Sequence, residues 1–285
     1  MKALFKDSSF IVQLMVVICL FSLGGVIATG LTGALSLQSN LRLAQLLQVL
    51  CVFILPSLAC AWLFSDCYKD YLQMNFPLSW SLVTWTMTAT IVALPFMNFT
   101  YSLNKQMVLP EALRSIETWM QTMEEMAMQL TEKMLYTHSF VVLLLNILIV
   151  CVLTGIGEEF LFRGVLQKVF GKIIHNPHVV IWVVAFIFSA LHLQFYGFIT
   201  RFLLGGYLGY LLYYTQTIWI PVVAHFTNNL VGVIAFFIYQ DRPEEAHAID
   251  DWGAGSTWWL AIVSAALFGY CFYRIRHGIA SWRRR

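Results

Sequence analysis

The sequence has 285 residues, of which 59% are hydrophobic and only 11% are charged. Soluble domains carry about 25% charged residues, so this composition excludes an ordinary soluble protein and predicts a polytopic membrane protein. The net charge of +2 gives no indication of a nucleic-acid partner. The six cysteines are scattered without a C-x-x-C pair, which argues against a disulfide framework or a cysteine-bound metal.

Apolar stretches predict an all-α fold, a membrane bundle of about eight transmembrane helices. Each stretch is close to the ~17–25 residues that a ~30 Å hydrocarbon core requires. Lys2 and Lys6 precede the first stretch as in a signal peptide, but the apolar run from Phe10 is too long for one, so we expect a retained helix. The predicted spans are 10–36, 43–65, 79–99, 140–166, 178–194, 197–214, 218–240 and 256–274.

The longest connection, 100–139, predicts an amphipathic helix outside the membrane near 110–135. Pro110 followed by Glu111 is typical of a helix start, and methionines and leucines then recur at near-helical spacing between glutamates. In the simpler interpretation this helix packs against the bundle or the lipid headgroups. A Met-rich surface can also bind a partner or a substrate adaptably, and the sequence leaves both interpretations open.

The distribution of lysine and arginine predicts that both termini lie in the cytoplasm. With eight spans, ten of these residues fall on the side of the termini and five on the other side, and positive residues are enriched in cytoplasmic segments. The ten are Lys2, Lys6, Lys69, Lys168, Lys172, Arg274, Arg276, Arg283, Arg284 and Arg285; the five are Arg42, Lys105, Arg114, Lys133 and Arg242.

Three charged residues lie inside the fourth predicted span, in the motif Glu158-Glu159-x-x-x-Arg163. Each would cost about 2.5–3.5 kcal/mol at a helix centre, which favours a functional reason for them. Glu159 and Arg163 are four residues apart and share a helix face, so we expect a buried ion pair. Glu158 points about 140° away from Arg163 and is left for chemistry. The alternative is that all three form a network that only fixes helix register.

Two further polar motifs lie in later spans. Phe188 and His192 are four apart in the fifth span, and His225 and Asn229 are four apart in the seventh. Either motif alone is typical of a structural histidine or of interhelical hydrogen bonding. A carboxylate and two imidazoles on three spans together indicate a site, although helix lengths place His192 deeper than the other two. Asn146 and Arg201 are interpreted as packing or interface residues.

These motifs, in this order, resemble those of the CPBP family, which includes type II CAAX prenyl endopeptidases and bacteriocin-processing or Abi proteins. The resemblance covers about 140–240 and implies an intramembrane endopeptidase of the bacterial inner membrane, built as a helical bundle with a conical cavity open to the cytosol. Around this catalytic core we distinguish an N-terminal helical part (1–139) and a C-terminal part with an acidic loop, a last helix and a basic tail (241–285).

The resemblance also implies roles for the motif residues. Glu158 would activate water with the help of His192, His225 and Asn229 would polarise the scissile carbonyl, and Glu159 and Arg163 would support the site. The substrate would be a membrane-associated peptide or protein, and the lipid bilayer is the other expected partner.

Whether a metal takes part stays open at this stage. Glu158, His192 and His225 could hold zinc, but the H-E-x-x-H motif is absent and a metal-free glutamate mechanism fits the same residues. The other functional hypotheses are a non-catalytic membrane scaffold or immunity protein, and a proton-coupled transporter. The transporter is disfavoured because the sequence shows no inverted repeat.

Overall fold

The computed structural model describes residues 3–37, 40–75, 78–242 and 252–282, and these form helices and no strands, as predicted. Short helical turns lie at Tyr68–Tyr71, Glu111–Leu113, Phe195–Gly197 and Gly255–Thr257. The longer helices are α1 (Phe10–Ala34), α2 (Leu41–Phe64), α3 (Trp80–Lys105), α4 (Arg114–Leu135), α5 (Phe140–Gly171), α6 (Pro177–Leu191), α7 (Phe198–Thr215), α8 (Trp219–Ile238) and α9 (Trp259–Trp282).

Five of the described helices are long and apolar enough to cross a membrane, namely α1, α2, α3, α5 and α8. Helix α6 is apolar but has only 15 residues. The chain is therefore a helical integral membrane protein, and the number of eight spans stays a prediction.

Hydrogen bonds and ion pairs define two ends of the bundle. At one end, the N-terminal face, Lys6 pairs with Asp66, and Lys172 Nζ donates to the carbonyl of Ser8 at 2.8 Å. At the other end, the opposite face, the Arg42 guanidinium donates to the carbonyl of Met134 at 2.6 Å. The chain segments at the N-terminal face are 3–9, 65–75 and 172–176; those at the opposite face are 35–37, 106–139, 192–197 and 239–242.

Helix α4 is the predicted amphipathic helix, and it packs on the opposite face. The Trp119 ring lies 5.3 Å from that of Phe195, between centroids, and the Glu124 carboxylate accepts a hydrogen bond from the backbone N–H of Tyr196 at 3.3 Å. Near its end, the Met134 carbonyl also accepts from Asn146 Nδ2 at 3.2 Å. Contacts of this helix with the bundle are therefore present, whereas contact of its exposed apolar residues with lipid headgroups and binding of a partner by its methionines stay predictions.

Helices α6 and α7 form a hairpin whose backbones approach closely through glycines. A Cβ on Gly205 would lie 3.0 Å from Ala185, and one on Gly209 would lie 2.7 Å from Ile181. A larger residue at Gly209 would therefore force the helices apart. The part of α7 that carries these glycines is packed centrally, because its buried residues run from Leu204 to Thr215.

Candidate functional site

The charged motif of α5 forms the predicted ion pair. Arg163 Nη1 lies 2.9 Å from Glu159 Oε1, and both side chains are fully buried. The second terminal nitrogen of Arg163 donates to the carbonyl of Gly205 on α7 at 3.0 Å. The guanidinium is therefore paired with a carboxylate and also hydrogen-bonded to a carbonyl, and such contacts allow a charge to be buried.

The local helix of α5 is not a regular α-helix. Two widened π-type stretches, Ile147–Leu153 and Phe160–Leu166, flank the regular turn Thr154–Glu159. Such stretches are frequent at functional sites, because they change the direction in which neighbouring side chains point. The motif also packs tightly, since a Cβ on Gly157 would lie 2.9 Å from Phe53 Cβ on α2.

His225 links the two glutamates. Its Nδ1 lies 2.7 Å from Glu159 Oε1, and a carboxylate oxygen can only accept, so Nδ1 carries the proton and donates. Its Nε2 lies 3.7 Å from Glu158 Oε2. The same oxygen of Glu159 therefore accepts from His225 and from Arg163, and these contacts fix both the tautomer and the orientation of the imidazole.

His192 lies one residue beyond the end of α6, which stops at Leu191 rather than at 194 as predicted. Its Nδ1 lies 2.7 Å from the carbonyl oxygen of Phe188 and donates to it, which leaves Nε2 as an acceptor in the neutral ring. Leu193 follows with a left-handed φ of 53°, where the chain turns towards α7. His192 nevertheless lines the same cavity as the other site residues, so the depth difference counted along the predicted helices does not separate it from them.

The Phe188 side chain connects the two later motifs to the ion pair. Its ring lies under the Arg163 guanidinium at 4.7 Å and packs edge-on against His192 at 4.8 Å. It also packs against His225 at 6.2 Å. Phe188 therefore has two roles. Its carbonyl accepts the hydrogen bond from His192, four residues later, and its ring packs against the guanidinium of Arg163.

Asn229 lies next to these residues on α8. Its Nδ2 donates to the carbonyl of Val150 on α5 at 3.0 Å, and its Oδ1 accepts from Asn228 at 3.3 Å. An amide nitrogen has two hydrogens, so one N–H remains for a further acceptor.

A cavity of about 620 Å³ brings the four predicted catalytic residues together. The sequence interpretation missed Arg201, which lines this cavity rather than only packing, and placed no role on Thr154. Thr154 lies four residues before Glu158 on α5, a helical spacing that could have indicated it, whereas Arg201 has no polar residue at helical spacing on α7. The lining is Leu41, Ala44, Gln45, Gln48, Leu130, Thr131, Met134, Leu135, Val150, Thr154, Glu158, His192, Arg201, His225, Asn228, Asn229, Gly232, Val233 and Phe236.

The cavity extends towards the opposite face of the bundle. Its outer lining comes from the start of α2, the end of α4 and the last turns of α8, all of which lie at that face. Both a cavity open to the cytoplasm and a cytoplasmic N-terminus are expected from the sequence. These two expectations are incompatible, because the cavity lies towards the face opposite the N-terminus.

The metal hypothesis has limited support in the donor geometry. Both imidazoles keep Nε2 open, but across the described ranges no three His, Cys, Asp or Glu residues are arranged to hold a metal ion. Glu158, His192 and His225 are not grouped in this way, and the zinc hypothesis stays untested.

Comparison with known proteins identifies the segment that carries the site. Residues 140–231 match the family model described as "Type II CAAX prenyl endopeptidase Rce1-like". A protein of Bacillus subtilis, named "Uncharacterized protein YpbD", is 32% identical over 90 residues, which is 30% of this chain and 43% of that protein. The chain therefore spans less than half the length of this relative. No solved structure is significantly similar.

Proposed function

We propose that this chain is an intramembrane endopeptidase that uses Glu158 to activate water, on the premise that residues 140–231 match the Rce1-like protease family. The observation that carries the proposal is that Glu158, His192, His225 and Asn229 line one cavity while Glu159 and Arg163 are paired behind it. The match to a protease family and the presence of membrane-spanning helices do not depend on this mechanism.

In the proposed reaction Glu158 takes a proton from water as the water oxygen attacks the carbonyl carbon of the peptide bond. Glu158 lines the cavity, and its Oε2 is buried without a hydrogen-bond partner among the described residues, so no protein donor competes for that oxygen. The Nε2 lone pair of His192 can accept the second hydrogen of the same water and orient it. When the C–N bond breaks, Glu158 returns its proton to the leaving nitrogen, and the products are a carboxylate and an amine.

The negative charge that develops on the carbonyl oxygen needs donors. Asn229 has one amide N–H left, and a protonated His225 would present Nε2–H beside it. The buried Glu159 carboxylate stabilises such an imidazolium through Nδ1–H. A positioned donor of this kind is worth about 2.7–4 kcal/mol in comparable sites.

Peptide hydrolysis by the purified protein tests the proposal. Full-length protein in lipid nanodiscs is incubated with a defined pool of synthetic peptides, and new peptide ends are identified by mass spectrometry. We expect cleavage that excess chelator and serine- or cysteine-reactive inhibitors leave unchanged, because no covalent nucleophile or three-ligand metal set is used. Chelator-sensitive cleavage that zinc restores would contradict the metal-free mechanism. Absence of cleavage together with proton-dependent solute flux in proteoliposomes would favour a transporter.

The same proposal includes the side of the membrane. The excess of lysine and arginine, ten against five, supports cytoplasmic termini. The cavity then opens to the extracytoplasmic side, which replaces the cytosolic opening that the family resemblance implied. The proposed substrate is accordingly a peptide segment on the outer side of the bacterial inner membrane.

Labelling of single cysteines tests this orientation. Cys67 is exposed at the N-terminal face, and Glu125 is exposed on α4 at the opposite face. In a background with the other cysteines replaced, we expect a membrane-impermeant maleimide to label Glu125→Cys in intact cells and Cys67 only after permeabilisation. Labelling of Cys67 in intact cells, with Glu125→Cys protected, would reverse the orientation.

A further inference from the structure

Arg201 is the one lining residue of the catalytic cavity that always carries a positive charge. It lies in the first turn of α7 and is partly exposed. Its two terminal nitrogens donate to the carbonyl and to the side-chain oxygen of Gln194, at 3.1 Å and 2.6 Å. Within the described ranges no carboxylate lies within ion-pair distance of it, while the Glu124 and Glu158 carboxylates act on its charge from further away.

The helices place Arg201 at about the depth of the catalytic glutamate. Gly205 on α7 accepts a hydrogen bond from Arg163 on α5, which fixes the two helices relative to each other. Both helices run from the opposite face to the N-terminal face. Arg201 and Glu159 each lie four residues, about 6 Å, from that contact towards the opposite face. The backbone of Arg201 therefore lies near the depth of Glu158, and its guanidinium reaches from there to Gln194 in the segment at the opposite face.

We infer that Arg201 binds a carboxylate of the substrate peptide. An arginine with two fixed nitrogens retains further N–H donors, and carboxylates are the groups that guanidinium binds most specifically in peptides. Because Arg201 and Glu158 line the same cavity, the bound carboxylate lies near the cleaved bond along the peptide. The group is either an acidic side chain or a free C-terminus. The inference rests on the proposed endopeptidase function.

A purely structural role is the competing explanation, since the Gln194 contacts also hold the turn that follows His192. The two roles differ in what a variant loses. If Arg201 only supports the turn, Arg201→Gln lowers cleavage of all peptides alike. If it binds a carboxylate, the loss is confined to peptides that carry one.

The experiment uses matched synthetic peptides with the wild-type protein in nanodiscs. Each peptide has an Asp or Glu near the cleaved bond or the isosteric Asn or Gln, and a free or amidated C-terminus. We expect kcat/KM to favour one carboxylate form by roughly tenfold to a hundredfold, with the comparison of side chain and C-terminus identifying its source. Arg201→Gln should abolish the preference and Arg201→Lys should keep part of it.

Two controls separate the possible outcomes. Gln194→Ala removes the side-chain hydrogen bond to Arg201 but keeps the charge of Arg201. The preference for the carboxylate peptide should therefore persist even where the cleavage rate falls. Binding of the same peptides to the Glu158→Gln protein is measured in parallel. If no peptide is cleaved but the carboxylate form binds more tightly, the proposed function fails and the inference stands. Equal cleavage and equal binding of carboxylate and amide peptides would overturn the inference.

Discussion

The Glu158→Gln protein is expected to fold as well as the wild type and to cleave peptides about 10²–10⁴-fold more slowly. Gln has nearly the shape of Glu but cannot take a proton from water. Among the described residues, the ion pair of Glu158 is a 3.7 Å contact with His225, and its Oε2 is buried without a hydrogen-bond partner. Removing its charge therefore costs the fold little and can even stabilise it, as is common for residues kept for function.

This prediction is checked by turnover on a cleaved peptide together with the denaturation midpoint of the same preparation. The matched control is Glu125→Gln, which removes an exposed glutamate from α4 and should leave both quantities unchanged. Wild-type turnover by Glu158→Gln would remove the general base from the mechanism and favour the non-catalytic scaffold.

The Glu159→Ala protein is expected to lose about 3–5 kcal/mol of stability, because the buried Arg163 is left without its ion-pair partner. His225 Nδ1 loses its acceptor in the same variant. Glu159→Gln should be milder, since both hydrogen bonds go to Oε1 and an amide oxygen can accept them. The free energy of unfolding, measured by titration with a denaturing detergent, should therefore fall in the order wild type, Gln, Ala.

A double variant tests the cause of this loss. Glu159→Leu combined with Arg163→Met removes both charges, so it should recover much of the stability that Glu159→Ala loses. Activity should not return, because His225 is still without the carboxylate that orients it. A double variant as unstable as Glu159→Ala would show that side-chain packing, and not the unpaired charge, dominates.

The sequence predicted the helical bundle well, because hydrophobic length and helical spacing are local properties of the chain. Glu159 and Arg163 pair as their four-residue spacing requires. The roles assigned to the site residues stay predictions, although their convergence in one cavity agrees with them.

Other features depend on contacts between distant residues, which the spacing of residues along the chain cannot indicate. The contact between Glu159 and His225 joins residues 66 positions apart, so no periodicity could indicate it. Helix α6 was predicted to run to residue 194, past His192, whereas the backbone turns at Leu193 with a positive φ. Arg201 looked like an isolated interface residue until the hairpin of α6 and α7 brought it to the cavity. The face of the bundle towards which the cavity extends likewise becomes known only when the helix ends are assigned to the N-terminal face or the opposite face.

The most direct measurement of the central claim, that the Glu158 carboxylate activates the attacking water, is peptide cleavage by Glu158→Ala protein with and without added formate. Formate is a small carboxylate that fits the space left by the truncated side chain in a cavity of about 620 Å³. The proposed mechanism predicts no cleavage by the variant alone and a formate-dependent return of cleavage at the wild-type bond, with no effect of chloride. Cleavage by Glu158→Ala at the wild-type rate in the absence of formate would contradict it.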